Sequence, residues 1–330
     1  MTHALITGGA GFIGTHLARR LLQDGVEVTL VDNLQRGRRD ATLEELLQNP
    51  LAHFASCDLL DAAALAALQG SFSHVFHLAA IVGVQNVIGN PLQVLTTNVQ
   101  LHQNMLNWSR ARQGLERFVF ASTSEVYAGT LEHYGLTFPT LETTPLALPD
   151  LQRPRTSYML SKIYGEAMCW QSGLPCTVVR PHNIYGPRMG VQHVIPELML
   201  RILRLGADQP LEVFSADHQR TFCYVDDAVE TLTRLAFSAD GKGVFNIGNE
   251  QPEISIRELA LLVASVLGKT VRLAEGAVTS GSPTRRCPSI AAVRETIGFE
   301  PQISLEDGIR RTWEWYRQHV FNGTEGVSTV

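Results

Sequence analysis

The turn TGGAGFIG at residues 7–14 constrains the fold of this chain more than any other part of its sequence. Gly8, Gly11 and Gly14 recur at every third position, after an apolar run (HALIT) and before a stretch whose apolar residues have helical spacing (FIGTHLARRLL). A strand that passes through glycines into a helix brings backbone N–H groups and the positive end of the helix dipole together, where they attract phosphate. The turn therefore predicts a pyrophosphate-binding loop at the start of a parallel α/β domain.

Asp32 ends the next apolar run, EVTLVD. A carboxylate at the end of the second strand accepts hydrogen bonds from the ribose hydroxyls of a dinucleotide and repels a 2′-phosphate. The turn and the carboxylate together predict that NAD is the cofactor. Arg36, Arg38 and Arg39 follow closely and keep NADP as the alternative, because a guanidinium can hold the extra phosphate.

Short apolar runs alternate with helical stretches through the first half of the chain. HVFHLAA, RFVFAS and PCTVVR have the composition of buried strands, and helices are predicted over residues 91–112 and 157–170. The alternation predicts an α/β fold, a Rossmann-type doubly wound parallel sheet with a smaller discontinuous C-terminal substrate domain. The predicted domains are residues 1–180 plus 222–249 for NAD binding, and residues 181–221 plus 250–330 for substrate binding.

The segment from Gly129 to Pro154 is rich in proline and has little periodicity. It predicts a long loop that faces the substrate or closes over it. The last residues, NGTEGVSTV, predict a frayed tail.

Composition narrows the class of protein. The chain has 330 residues, of which 45% are hydrophobic and 18% charged, and its formal net charge is −5. These values give no general electrostatic attraction to nucleic acid or to an anionic membrane, and neither is expected as a partner. Because no signal peptide or bilayer-length apolar run is evident, a cytoplasmic protein is expected. The five cysteines fit neither a disulfide framework nor a zinc site, so we expect buried thiols and no metal.

Tyr158 and Lys162 lie one helical turn apart in SYMLSK, after the hydroxyl-rich strand end STSEVY at residues 122–127. A lysine ammonium and a positively charged nicotinamide would both stabilise a phenolate, so we expect the pKa of Tyr158 to be lowered toward neutrality. The phenolate can then take the proton of a sugar hydroxyl while the carbon gives its hydride to NAD.

With these motifs the chain resembles the extended short-chain dehydrogenase/reductases, in the group of NAD-dependent nucleotide-sugar epimerases, dehydratases and decarboxylases. The resemblance spans nearly the whole chain, from TGGAGFIG to SLEDGI. It implies that the acid of CDLLD lies by the adenine and that HLAA lines the cofactor. The predicted cofactor-binding residues are Gly8, Gly11, Phe12, Ile13, Gly14, Asp32, Asn33, Asp58, Leu59, Leu78, Ala79, Ala80, Tyr158 and Lys162.

The resemblance gives Thr123 the hydroxyl that bonds the reacting oxygen. Epimerases of the group commonly carry Ser or Thr where this chain has Glu125, whereas Thr123–Ser124–Glu125 resembles the hexuronate decarboxylases and some dehydratases. A 4-ketone acidifies C5–H and makes a C5 carboxylate a β-keto acid, so loss of water or CO2 can follow with a carboxyl group shuttling protons. The alternative is a solvated turn residue. The predicted catalytic residues are Tyr158, Lys162, Thr123, Glu125 and Ser124.

Further motifs predict contacts with a sugar nucleotide. RPHNIYGP resembles the family's R-x-x-N-x-x-G-P, which implies that Asn183 bonds the diphosphate, and VIPELM resembles a uridine-facing helix that begins at Val194. Arg220 is implied near the diphosphate or a substrate carboxylate. One of the neighbours Arg285 and Arg286 is implied on the diphosphate. Arg155 resembles the arginine of a decarboxylase Arg-x-x-Tyr motif.

The lead hypothesis is an NAD-dependent UDP-hexuronate decarboxylase that acts on UDP-glucuronate through a 4-keto intermediate. The alternatives are a UDP-sugar 4-epimerase, including UDP-glucuronate 4-epimerase, a nucleotide-sugar 4,6- or 5,6-dehydratase, and a non-enzymatic NAD-binding sensor of the same fold. Ala128 stands where the family usually has glycine, and the loop after it departs from UDP-xylose-forming enzymes, so the sugar stays open. The resemblance also implies a homodimer through a four-helix bundle formed by the helix from Pro91 and the Tyr158 helix.

Overall fold

A seven-stranded parallel sheet lies at the centre of the computed structural model, which describes residues 2–206, 208–279 and 282–321. The strands are β1 (His3–Thr7), β2 (Glu27–Asp32), β3 (Ala52–Ser56), β4 (His74–His77), β5 (Arg117–Ala121), β6 (Cys176–Pro181), β7 (Ile184–Tyr185), β8 (Leu211–Val213), β9 (Gln219–Arg220), β10 (Cys223–Tyr224), β11 (Gly243–Ile247), β12 (Ile254–Ser255), β13 (Leu273–Glu275) and β14 (Arg285–Arg286). The large sheet has the order β3-β2-β1-β4-β5-β6-β11, and every neighbouring pair is parallel. This order confirms the predicted doubly wound Rossmann-type sheet.

Helices cover both faces of that sheet. They are α1 (Phe12–Gln23), α2 (Ala41–Leu46), α3 (Ala62–Ala66), α4 (Val84–Gly89), α5 (Pro91–Arg110), α6 (Ala128–Tyr134), α7 (Pro154–Gln171), α8 (Val194–Leu203), α9 (Val225–Phe237), α10 (Ile256–Val266), α11 (Ala291–Ile297) and α12 (Leu305–His319). Successive residues of a strand point to opposite faces. In β1, Ala4 and Ile6 therefore pack in a core with α1 and α9, while Leu5 packs in a second core with α5 and α7.

The carboxyl ends of the parallel strands bring the predicted motifs to one edge. The glycine turn follows β1, Asp32 ends β2, HLAA spans the end of β4, and the STSE segment follows β5. Ligands of doubly wound sheets bind in the crevice outside these ends. The topology alone therefore collects the sequence motifs into one place.

The part of the chain after β6 adds one strand to the large sheet and forms a group of helices and small sheets. β11 returns to the large sheet beside β6, and α8, α10 and α12 pack together with three small sheets formed by β9, β12 and β14, by β8 and β13, and by β7 and β10. The core of α8 and α10 is continuous with that of α1 and α9. The division of the chain into two domains stays a prediction.

The predicted loop at residues 129–154 begins instead inside a helix, α6. A Cβ on Gly129 would lie 1.9 Å from Ala147 O, so only glycine lets the segment fold back there. Thr130 Oγ1 donates to Pro145 O at 2.5 Å and accepts from Ala147 N at 3.0 Å. Contacts within the segment therefore give it a defined structure. The apolar periodicity of a sequence does not reveal such contacts. The sequence pattern also does not predict β3, α2 or α4, and the predicted frayed tail lies outside the described residues.

The five cysteines are buried and free, as expected. Among the described residues, no helix has the length and apolar character needed to cross a membrane. Over the same part of the chain, no cluster of three or more His, Cys, Asp or Glu side chains is arranged to hold a metal ion.

Candidate active site

The turn between β1 and α1 has no room for side chains. Gly8 has a φ of 69°, and a Cβ on it would lie 3.1 Å from Ala79 N. A Cβ on Gly14 would lie 2.3 Å from Gly8 O, so α1 approaches the turn only because this residue is glycine. Gly11 is the N-cap of α1 and leaves the first N–H groups of the helix uncovered. This cradle fits the pyrophosphate of NAD. Gly9, which the prediction omitted, is equally restricted, since its Cβ would lie 2.8 Å from the backbone of β2.

Asp32 connects this turn to the segment after β2. Its Oδ2 accepts from Ala10 N at 3.1 Å and its Oδ1 accepts from Leu34 N at 2.8 Å. A Cβ on Gly37 would lie 2.8 Å from both carboxylate oxygens, so the chain passes close over them. A carboxylate has about four acceptor sites, so hydrogen bonds from ribose hydroxyls are still possible.

The arginines that follow Asp32 make contacts elsewhere. Arg36 Nη1 donates to Val82 O, beyond β4, at 2.6 Å, and Arg39 pairs with the exposed Glu44 at 2.5 Å. These contacts do not direct either guanidinium to Asp32, and they favour NAD over NADP. Arg36 has instead an electrostatic contact with Tyr158, for which it opposes a rise in pKa.

The other predicted cofactor residues surround the turn at different depths. Ala79 N donates to Thr7 Oγ1 at 3.2 Å, which fixes the HLAA segment beside Gly8. Asp58 Oδ1 accepts from Leu60 N at 2.9 Å, a local turn bond. Phe12, Ile13, Leu78 and Ala80 are half-buried, Leu59 is buried, and Asn33 is exposed.

The predicted triad comes together at the end of β5. Thr123 caps the 3₁₀ turn Ser124–Tyr127, where its Oγ1 accepts from Glu125 N at 3.2 Å, and its hydroxyl also bonds Tyr158. Lys162 Nζ donates to Ala121 O at 2.7 Å and lies 5.9 Å from the centre of the Tyr158 ring.

The charge state of this triad differs from the prediction. Burial, and next the charge of Glu125, raise the pKa of Tyr158 well above its usual range, with the Thr123 hydrogen bond opposing. Burial lowers the pKa of Lys162 to about 8, against the opposing charges of Cys169 and Glu166. For the chain without its cofactor, the expected lowering of the Tyr158 pKa is therefore wrong, because desolvation and the charge of Glu125 outweigh the Thr123 hydrogen bond and the charge of Arg36. A lowered pKa requires the positive nicotinamide that the prediction also invoked.

Glu125 lies beside the triad and pairs with the arginine that opens α7. Arg155 Nη2 is 3.3 Å from Glu125 Oε1, and both side chains are about three-quarters buried. α7 begins at Pro154, before the predicted start, so Arg155 belongs to its first turn. Glu125 also interacts electrostatically with Arg286. Ser124 is buried beneath it.

The pairing of β9 and β14 determines where the predicted arginines lie relative to one another. β14 runs parallel to β9 with Arg286 opposite Arg220. Arg285, the preceding residue on β14, forms a fork with Glu253 at 2.6 and 2.7 Å and lies over Phe138. Adjacent strand residues alternate in direction, so Arg286 faces Arg220 and Asn183 while Arg285 pairs with Glu253. Both arginines border the recess described below.

Arg220 is buried and donates to Ser282 Oγ at 3.1 Å and to the carbonyl oxygens of Gln219 and Pro283. Burial, and then the neighbouring charge of Arg286, lower the pKa of Arg220 to about 10. Two desolvated guanidinium groups side by side favour an anion between or beside them.

Asn183 sits next to this pair, with a left-handed φ of 44°. Its Nδ2 donates to Thr221 O at 2.8 Å, and its Oδ1 accepts from Arg286 Nη1 at 3.5 Å. Val194 is the first residue of α8 and is half-buried. That this helix faces uridine stays a prediction. A recess lies between the catalytic turn and β14. Its lining includes Ser124, Glu125, Ala128, Leu131, Leu136, Phe138, His182, Arg285, Arg286 and Cys287.

A buried polar network that the sequence analysis did not predict lies next to Lys162. Glu166, one turn after Lys162, accepts from Ser122 Oγ at 2.5 Å and from Arg180 at 3.0 and 2.7 Å. Arg180 also donates to Tyr127 Oη at 2.8 Å. Tyr158, Lys162 and Glu166 are four residues apart and share one helix face. This spacing could have identified Glu166 from the sequence.

Comparison with known proteins places the chain among sugar-nucleotide enzymes. Residues 4–248 match the NAD dependent epimerase/dehydratase family. The chain is 34% identical over 328 residues to a UDP-N-acetyl-alpha-D-glucosaminuronate decarboxylase of Bacillus cytotoxicus, covering 95% of this chain and 97% of the relative. It is 32% identical over 332 residues to UDP-glucuronic acid decarboxylase 1 of Arabidopsis thaliana, covering 98% of this chain and 71% of the relative.

Solved structures give the same family. A UDP-glucose 4-epimerase of Thermotoga maritima with UDP-glucose superposes with a TM-score of 0.83 at 29% identity, over 96% of this chain and 99% of the other. A UDP-glucuronic acid 4-epimerase of Bacillus cereus with UDP-glucuronic acid and NAD also gives 0.83, at 26% identity over 96% and 99%. The family description names NAD, the cofactor predicted from the glycine turn.

Proposed function

Because the chain belongs to the NAD-dependent epimerase/dehydratase family, we propose that it decarboxylates a UDP-hexuronate through a 4-keto intermediate, with UDP-glucuronate as the lead substrate. The observation that carries this proposal is the position of Glu125. It lies next to Tyr158 and is flanked by Arg155 and Arg286. A 4-epimerase needs no second acid or base, whereas loss of CO2 leaves a carbon that must be protonated.

In the first half-reaction, Tyr158 takes the proton of the C4 hydroxyl while Thr123 holds the oxygen by a hydrogen bond. Lys162 stabilises the phenolate electrostatically from the same helix face. When bound, NAD would supply the acceptor for the C4 hydride and the hydride source for the final reduction. The glycine turn, Asp32 and the HLAA segment would hold NAD, as their fit to its pyrophosphate and ribose indicates.

In the second half-reaction, the C5–C6 bond breaks and CO2 leaves. The electron pair of that bond enters the 4-keto group as an enolate. C5 then takes a proton, which restores the ketone. The proposed donor is the carboxyl group of Glu125, which must first take up from solvent the one proton that the net reaction consumes. Tyr158 finally returns its proton to the C4 oxygen as the alcohol is re-formed.

The arginines divide into two proposed roles. Arg286 lies between Glu125 and Asn183, which suits it to the substrate carboxylate next to Glu125. Arg220 has hydroxyl and carbonyl partners, and this buried charge suits it to the diphosphate together with Asn183. This proposal differs from the sequence-based expectation, which placed one of Arg285 and Arg286 on the diphosphate.

The sugar is tested directly. Purified protein is incubated with UDP-glucuronate and, separately, with UDP-N-acetylglucosaminuronate, because relatives carry both names. A third incubation contains UDP-glucose, the neutral hexose. Mass spectrometry and proton NMR then identify the product. Loss of CO2 from either substrate supports the proposal and chooses between them. An isomer of unchanged mass would make the protein a 4-epimerase, and loss of water from UDP-glucose would make it a dehydratase.

We propose further that the enzyme is a homodimer and works in the cytoplasm. α5 and α7 pack side by side and expose apolar side chains, among them Leu92 at 73%, Tyr164 at 52% and Trp170 at 46%. A second copy that placed the same helices against these residues would complete a four-helix bundle. Five free, buried thiols fit a reducing compartment.

A further inference from the structure

Arg188 joins the substrate side of the site to the glycine turn on the cofactor side. It follows β7, the short strand that begins directly after Asn183, and its backbone has a φ of 67°, in the left-handed region. Its side chain is only 5% exposed. A buried charge on a strained backbone is costly unless its contacts compensate for it. The contacts of Arg188 therefore identify what the loop is built to hold.

The guanidinium of Arg188 forms a fork with Asp40, the N-cap of α2, in which Nε and Nη2 each lie 3.0 Å from a carboxylate oxygen. Its remaining N–H groups reach the glycine turn. Nη2 donates to Ala10 O and Nη1 to Gly11 O, each at 3.4 Å, and Nη1 also donates to Thr15 Oγ1. Thr15 in turn donates to Gly11 O at 2.8 Å.

These bonds hold the glycine turn by its carbonyl oxygens. In a trans peptide the carbonyl and the N–H point in opposite directions. Holding Gly11 O therefore aims the N–H of Phe12, the first residue of α1, away from Arg188. The first N–H groups of a helix have no intrahelical partner and are the donors that a pyrophosphate uses. Arg188 thus orients a phosphate donor without touching phosphate.

The same loop is anchored to α1 by a second contact. His16 Nε2 lies 3.0 Å from Pro187 O, one residue before Arg188. The segment from Asn183 through β7 to Arg188 is therefore bonded both to α1 and to the glycine turn. A displacement of this segment is transmitted to the turn, and a displacement of the turn is transmitted to the segment.

We propose that Arg188 is a positioning residue that couples occupancy of the nucleotide-sugar site to retention of NAD. The coupling rests on the proposed function, since an enzyme that returns its hydride within one cycle must not release the reduced cofactor early. Linkage is reciprocal, so UDP should tighten NAD binding by the same factor as NAD tightens UDP binding.

The test compares Arg188→Met and Arg188→Lys with wild type in the full-length protein. Calorimetry gives the Kd of NAD with and without saturating UDP, and the Kd of UDP alone. In wild type, UDP should lower the Kd of NAD by about fivefold or more. In Arg188→Met the Kd of NAD should rise by at least about tenfold, and UDP should no longer change it, while UDP alone binds within about twofold of wild type. Arg188→Lys, which keeps the charge and loses the fork, should lie between them.

Arg20→Met is the matched control. Arg20 belongs to α1, the helix that follows the glycine turn. It pairs with Glu230 of α9 at 2.5 Å, on a surface that does not contact the turn. An equal loss of NAD affinity in this control, or UDP coupling that survives Arg188→Met, would overturn the inference. Wild-type protein that binds NAD but no UDP would overturn the proposed function, and the coupling with it. The NAD affinities of the variants would then still decide whether Arg188 orients the turn.

Discussion

Replacing Glu125 by Gln should separate the two halves of the proposed reaction. Gln keeps the size of the side chain and an oxygen for Arg155, so the structural cost is limited to the ion pair. That pair has a separation of 3.3 Å and side chains 28% and 27% exposed. A partly exposed ion pair contributes about 1 kcal/mol or less to stability. Positioned acid–base catalysis contributes about 100- to 10,000-fold in rate, or roughly 3–5 kcal/mol. The catalytic loss should therefore exceed the structural one.

The assay follows both halves in one mixture. Single-turnover reactions with UDP-glucuronate are monitored by absorbance of the reduced nicotinamide and by release of CO2. In Glu125→Gln the reduced nicotinamide should still form, whereas CO2 release and product formation should fall by at least about 100-fold. Because the charge of Glu125 raises the pKa of Tyr158, the acidic limb of nicotinamide reduction should also move to lower pH in this variant.

Glu132→Gln is the matched control. Glu132 pairs with Arg153 at 2.9 Å in the neighbouring α6, outside the site, and its substitution should leave both signals within about twofold. A Glu125→Gln enzyme that releases CO2 at the wild-type rate would refute the assigned role. So would equal losses of nicotinamide reduction and CO2 release, because Glu125 would then serve the first step or the fold.

Two other predictions concern the arginine pair and the dimer. Arg286→Met should raise the KM for the UDP-sugar by at least about tenfold. Arg285→Met should change this KM by less than about threefold, because the Arg285 side chain is paired with Glu253. Steady-state kinetics measures both values, and a larger effect of Arg285→Met than of Arg286→Met would contradict the assignment. Leu92→Asp combined with Tyr164→Asp should convert a dimer to a monomer in light scattering coupled to gel filtration, and a wild-type protein already monomeric would exclude the four-helix interface.

The fold and the cofactor could be predicted because their signals are local. A glycine turn requires a strand before it and a helix after it, and proline at the first position of α5 marks a helix start. Thr123, Tyr158 and Lys162 were predictable for the same reason, since two of them share a helix face and the third ends a strand. The family comparisons agree with that prediction of fold and cofactor.

Directions and long-range contacts could not be predicted in this way. Arg285 and Arg286 are adjacent in sequence, and only the register of β14 on β9 shows that Arg286 lies opposite Arg220 while Arg285 lies opposite Gln219. The order in residues 129–154 depends on a backbone approach at Gly129 that no short pattern encodes. Arg188 was visible as part of YGPR, but its partners, Asp40 and the glycine turn, lie far away in sequence.

The electrostatics around Tyr158 give an independent argument about the reaction. A negative charge beside a tyrosine that must ionise opposes the first step, and Glu125 is the largest charge contribution that raises the pKa of Tyr158. An enzyme that only oxidised and reduced C4 would run faster with a neutral residue at that position. The carboxylate is nevertheless supported by Arg155 from the first turn of α7 and by the charge of Arg286. Such support for a group that hinders oxidation is expected if a later step requires that group. We propose that this step is protonation of C5 after loss of CO2, in which Glu125 passes a proton from solvent to C5.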